Sequence, residues 1–233
     1  LAKNGLKFTQ FYNTGRCWPT RASLLTGFYP QQVRRDTVPS LPTGGRGKRP
    51  GWAPLVAETL RTLGYRCYHS GKWHLDGMPL ENGFHHSYYL RDQNRFFSPT
   101  ISYRDDKKLP PVKAGSGFYG TTVIADNAIE MLEEHRLKQA NKPFFAYVAF
   151  TSPHFPLHAL PEDIARNVAR YQAGWEKVRE KRWQRIQDLD IVTGTLSPVE
   201  TGIGSPYPDR AATAKKILGS QEVIVPVAWE TLT

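Results

Sequence analysis

Phe144-Phe145-Ala146-Tyr147-Val148-Ala149-Phe150 is an unbroken apolar run, the pattern of a parallel strand covered on both faces rather than of a half-solvated one. Just before it, Ile124, Ala128, Met131, Leu132 and His135 recur with helical period behind Thr121 or Thr122, either of which suits the helix N-cap. The same order of elements occurs earlier. Pro54 opens a helix with Val56, Leu60 and Leu63 on one face and Gly64 at its end, and Tyr65 to Ser70 then reads as a strand. Leu6 to Tyr12, aromatic and partly alternating, reads as a further short strand that delivers the chain to Cys17. Helix, strand and loop repeated in this order predict an α/β domain with a largely parallel sheet flanked by helices. In such sheets ligands bind beyond the carboxyl ends of the strands. The polar clusters fall there three times: Cys17 to Arg21, then Lys72 and His74, then His154.

Composition narrows the partners without choosing one. The 31 Lys and Arg against 21 Asp and Glu leave a net charge of +10, which suits sulfated or phosphorylated substrates, nucleic acid or acidic surfaces. Two cysteines fifty positions apart match neither a disulfide framework nor a zinc site. No apolar run approaches the length of a membrane span. The stretch from Tyr29 to Trp52 reads as a long loop, solvated around Pro42 to Pro50, and lacks the Gly-Lys-Ser/Thr of a phosphate cradle. Beyond Pro161, Ile164, Val168, Tyr171, Trp175, Val178, Ile186 and Leu189 predict one long basic amphipathic helix whose apolar face packs on the domain. The last forty residues read as loop. Residues 1–160 are thus expected to form the main α/β domain and 161–233 a helical and loop-rich extension of it. Leu1-Ala2-Lys3-Asn4-Gly5 reads as the last turn of a helix, so the chain is expected to be an internal fragment, incomplete at both ends.

Three clusters carry chemistry. In Cys17-Trp18-Pro19-Thr20-Arg21-Ala22-Ser23-Leu24-Leu25-Thr26-Gly27, Pro19 suits the first helical position and places Cys17 at or before a helix N-terminus, which favours an anionic group. Arg21, one turn on, shares that face. In Gly64 to Leu75, Lys72 and His74 stand two apart in an expected extended segment and so point to one side, while Cys67 reads as a small core residue. In Thr151 to His158, Pro153 and Pro156 stiffen the chain around His154, and His158 reads as a surface histidine.

Together these strings resemble the sulfatase family: Cys-x-Pro-Thr-Arg with Leu-Thr-Gly, then Gly-Lys-Trp-His-Leu, then Pro-His-x-Pro. The resemblance covers residues 1 to about 161 and implies an alkaline-phosphatase-like fold and hydrolysis of sulfate monoesters. It implies that Cys17 is oxidised to formylglycine by a formylglycine-generating enzyme and that its hydrated form attacks sulfur. Arg21 would then hold the nucleophile and Lys72 would neutralise a sulfate oxygen. His154 would protonate the leaving alcohol, and His74 would take a proton when sulfate is expelled. Lys72 and His154 would contact the substrate. The family also binds calcium through paired aspartates, an Asp-Asn pair and the formylglycine. Here only Cys17 carries over, because Asp105-Asp106 reads as a surface loop and Asp126-Asn127 as part of a helix, so the isolated chain is expected to be inactive. By resemblance alone the enzyme would be periplasmic or secreted. Two other readings remain: a phosphonate or phosphate ester hydrolase of the same superfamily, and a noncatalytic basic module gripping nucleic acid or sulfated glycan, the first not separable by sequence and the second not favoured.

Overall fold

The computed structural model describes residues 3–36 and 48–198. The chain divides into two compact units, one of residues 12–158 and one built from residues 1–11 together with 159 onward. The expected solvated loop around Pro42 lies mostly outside the described residues, as does most of the terminal loop.

The larger unit contains α1 (Cys17–Thr26), α2 (Val56–Thr62), β1 (Arg66–Gly71), β2 (His86–Leu90), β3 (Ser102–Arg104), β4 (Lys107–Lys108), α3 (Gly120–Lys138) and β5 (Phe144–Ala149). Its strands form one mixed sheet in the order β4-β3-β2-β1-β5. The β2-β1-β5 core is parallel, and β3 and β4 add antiparallel strands at one side. This is the α/β architecture expected.

Alternation along β1 divides the core. Cys67, with Trp73, Phe84, Leu25, Leu55 and Ala57, is buried on the face that also holds Phe145 and Tyr147. Tyr68 lies on the opposite face with Tyr88, Ile124 and Met131, where α3 covers the sheet. Both helices on the first face are closed by local chemistry: Gly27 ends α1 in the left-handed conformation at φ +76°, and Glu58 reaches back to accept the Leu55 N–H at 2.6 Å.

Several expectations are corrected. Leu6 to Tyr12 forms no strand. Leu6 is 81 % exposed and Tyr12 84 %, and the segment runs as irregular chain that enters no ladder of the described sheet. The α1 helix begins at Cys17 itself, leaving Pro19 in the third position; no N–H of the first turn has an intrahelical acceptor, so proline is tolerated throughout it. Neither Thr121 nor Thr122 caps α3, whose N-cap is Tyr119; the Thr121 hydroxyl instead pairs with that of Ser152 at 3.1 Å. The apolar run of β5 is an edge strand, so Phe144 and Val148 remain partly exposed.

In the second unit the expected single helix is two, α4 (Pro161–Tyr171) and α5 (Gly174–Asp188). The break falls at residues 172–173, and Gly174 opens α5 with a φ of +79°, a turn that a side chain would strain. Ile164, Val168, Tyr171 and Trp175 are exposed.

Candidate active site

The site is built where β1 ends. Gly71 has φ +117°, and a Cβ there would lie 2.1 Å from the Ala149 carbonyl oxygen, so only glycine lets β1 and β5 approach this closely. The Lys72 N–H donates to the same carbonyl at 2.8 Å, which fixes the peptide that follows the strand. Trp73 then plunges into the core, fully buried, with its indole N–H donating to the Gly77 carbonyl at 3.1 Å. His74 returns to the site in a left-handed conformation at φ +59°, not in the extended one expected. That is a strained backbone for a residue other than glycine.

Cys17 is exposed at the first position of α1. Lys72, itself a buried residue, lies beside it, close enough for the two side chains to act on each other. Burial pulls Lys72 below the usual lysine range; the Cys17 sulfur opposes that shift and Arg21 adds to it. Arg21 extends from α1 to the strand ends, where Nη1 donates to the Lys72 carbonyl and to the Tyr147 hydroxyl, both at 2.9 Å.

His74 is pushed down to about 4, first by burial and then by Lys72, Arg21, His154 and Arg35. Three of these, Lys72, Arg21 and His154, are predicted site residues, and with Cys17 beside Lys72 the fold brings Cys17, Arg21, Lys72, His74 and His154 into one neighbourhood; Arg35 joins them unpredicted. His74 is therefore neutral at ordinary pH, and its Nδ1 is buried without a protein partner. His154 follows β5 in a turn closed by its N–H on the Thr151 carbonyl at 2.9 Å. Its Nδ1 donates to the Phe155 carbonyl at 2.6 Å, which leaves Nε2 to exchange a proton.

Four further residues shape the pocket. Trp18 meets the His74 ring edge-on at 6.0 Å, and the Arg35 guanidinium lies over the Trp18 ring, 5.3 Å from its centroid. Arg35 is held by Asp76 at 2.6 Å, and Asp76 also pairs with Arg49 at 3.6 Å. Arg49, expected in the solvated loop, is thus bound into a network that includes Glu58 at 3.2 Å. Nothing in the linear sequence separates Arg35 or Arg49 from the many other basic residues. His158 is not on the surface as expected: it is half-buried, 5.3 Å from the Phe96 ring and 5.7 Å from Phe97. Cys67 is buried in the core and its thiol points to the Ala57 carbonyl, as its strand position predicts.

The described residues do not fit a calcium ion. No three His, Cys, Asp or Glu side chains among them converge as a metal site. Asp105 and Asp106 form the tight turn between β3 and β4, both at positive φ. Asp105 accepts the Ser87 N–H at 2.9 Å and Asp106 that of Leu80 at 3.1 Å. Asn127 is engaged by Arg104 on the flank of α3.

The parallel β2-β1-β5 core presents exposed Cys17 and a set of basic side chains at its carboxyl end, and the architecture is the alkaline-phosphatase-like α/β fold. The sulfatase family model matches residues 1–202, and the chain belongs to that family. An uncharacterized sulfatase of Schizosaccharomyces pombe is 29 % identical over all of this chain and 47 % of its own length. The arylsulfatase of Klebsiella aerogenes is 27 % identical over 82 % of this chain and 45 % of its own. Among solved structures, the crystal structure of Ps i-CgsB is similar with a TM-score of 0.54 and 25 % identity, over 66 % of this chain and 38 % of that one. The chain spans about half the length, or less, of these relatives.

Proposed function

We propose that the enzyme containing this chain hydrolyses sulfate monoesters at the Cys17 pocket, as an arylsulfatase-like sulfuric ester hydrolase. The observation that carries this reading is buried Lys72 beside exposed Cys17, with Arg21 clamped to the Lys72 carbonyl and the Tyr147 hydroxyl. Exposure of Cys17 at the start of α1 suits its conversion to formylglycine by a formylglycine-generating enzyme. Formylglycine, once formed, supplies a hydrated aldehyde that attacks sulfur and afterwards releases sulfate. The other residues divide the work. Lys72 balances the charge of a sulfate oxygen, and Arg21 orients position 17 from one turn along the helix. His74, neutral because its proton is lost near pH 4, is able to accept a proton during sulfate release. His154 uses Nε2 to protonate the departing alkoxide, its ring being held through Nδ1.

No step is routed through a metal, because the described residues group no ligands for one. The calcium that the family resemblance implies would need ligands besides position 17, and we propose that residues 1–233 expressed alone do not complete the reaction. Secretion or export to the periplasm is likewise proposed from the family; no helix among the described residues is long and apolar enough to cross a membrane.

The test is turnover of an aryl sulfate and of an aryl phosphonate by the full-length enzyme co-expressed with a formylglycine-generating enzyme, beside its Cys17→Ala variant. Sulfate turnover that disappears in the variant, with aldehyde at position 17 by mass spectrometry, is expected. Preference for the phosphonate, or unchanged turnover in Cys17→Ala, would overturn the proposal. The 233-residue chain assayed with and without calcium should show aldehyde and no turnover.

A further inference from the structure

Strand register sets Ser87, His69 and Tyr147 side by side across β2, β1 and β5. Alternation puts all three on one face of the sheet, directly under Arg21. His69 is fully buried and burial pushes it down to about 3, so it is neutral and carries one N–H. Its Nε2 lies 3.4 Å from the Lys72 carbonyl, an oxygen that only accepts, so that nitrogen holds the hydrogen. Nδ1 must then accept, and the Ser87 hydroxyl donates to it at 2.9 Å. The Lys72 carbonyl receives Arg21 as well, and Arg21 Nη1 gives its second hydrogen to the Tyr147 oxygen. Burial pushes the Tyr147 phenol up, so it stays neutral and serves as an acceptor here.

Both hydrogens of Nη1 are therefore committed to this row, and the guanidinium plane is set by it. The donors not committed to the clamp are Nε and Nη2, on a side chain one turn along the helix from Cys17. The same carbonyl belongs to Lys72, so one hydrogen-bonded row orients both cations of the site.

We propose that Tyr147, with His69 and Ser87 behind it, is a positioning residue that sets the geometry of Arg21 and Lys72 around position 17. This rests on the sulfatase reading of the site but is not contained in it. Tyr147→Phe removes only the oxygen and keeps the ring. In the full-length enzyme it should lower kcat for an aryl sulfate about tenfold, with KM changed less than threefold and aldehyde content unchanged. Ser87→Ala, at the far end of the row, should lower kcat about threefold.

The decisive measurement is a double-mutant cycle with Arg21→Lys: if Tyr147 acts through Arg21, Tyr147→Phe adds nothing in that background. The same cycle read on iodoacetamide alkylation of unmodified Cys17 involves no sulfate chemistry, because the rate depends on the cations beside the thiol. Effects that multiply in the alkylation cycle, or a Tyr147→Phe enzyme within twofold of wild type in kcat, overturn the proposal. A wild-type enzyme that turns over no aryl sulfate refutes the proposed reaction instead, and the alkylation cycle still decides this one.

Discussion

At the scale of single residues, His69 shows how a group outside the motifs constrains the site. Its proton is held in the unfolded chain up to about pH 6.5 but is excluded from the folded one until about pH 3. Between those values the unfolded state binds more protons, so stability rises with pH across the window and is flat above it. Acidification from pH 6.5 to 4.5 should remove roughly 2 kcal/mol through His69 alone. Urea unfolding of wild type and His69→Gln across pH 4.5 to 7.5 checks this, and the variant should lack about one proton's worth of slope. Lys72 offers a second test at this scale. Lys72→Met keeps the length of a side chain that is almost wholly buried but removes its charge, and should lower kcat/KM for an aryl sulfate about a thousandfold without loss of fold. Steady-state kinetics with circular dichroism on the same samples separates the two effects.

At the scale of elements, the contact between β1 and β5 decides where the cations stand. Gly71 is the point of closest approach, and the Ala149 carbonyl it faces also accepts the Lys72 N–H. Gly71→Ala combines a left-handed φ with a backbone clash that no side-chain rotation relieves. It should cost about 3 kcal/mol or more and lower the thermal unfolding midpoint by several degrees. A midpoint within one degree of wild type would show that the strands can separate without cost. Trp73, which follows at once, anchors the same loop from below. The break between α4 and α5 illustrates the opposite case, where a turn ahead of Gly174 interrupts a pattern that the apolar period carries straight through.

For the molecule as a whole, the net charge of +10 gathers meaning only through its placement. Arg21, Lys72 and Arg35 converge on His74 and depress it, while Asp76 and Glu58 take up Arg35 and Arg49 at the side. A substrate anion entering such a pocket is attracted over a distance comparable to the Debye length. Raising NaCl from about 50 mM to about 500 mM should therefore lower kcat/KM for an aryl sulfate several-fold while kcat changes little. A kcat/KM independent of salt would mean that the exposed basic surface, not this pocket, carries the excess charge.

The α2-β1 and α3-β5 pairs, the buried role of Cys67 and the three motif clusters were legible in the sequence because each depends on local rules, whereas β2, β3 and β4 were not. Periodicity places β1, α3 and β5, and a polar cluster after an apolar strand marks the ligand end of a parallel sheet. Edges were not legible: Leu6 to Tyr12 has the composition of a strand and enters no ladder among the described residues, and β5 has the composition of a central strand and lies at the border of the described sheet. Residues that act across the sheet were hidden for the same reason. His69 is three positions from Lys72, but Ser87 and Tyr147 join it only through strand register, and Arg35 reaches Trp18 through a fold of the chain. Local chemistry determined which residues could react; tertiary pairing decided which of them meet, because hydrogen bonds and charges act over a few ångströms while partners such as Arg21 and Tyr147 lie 126 positions apart along the chain.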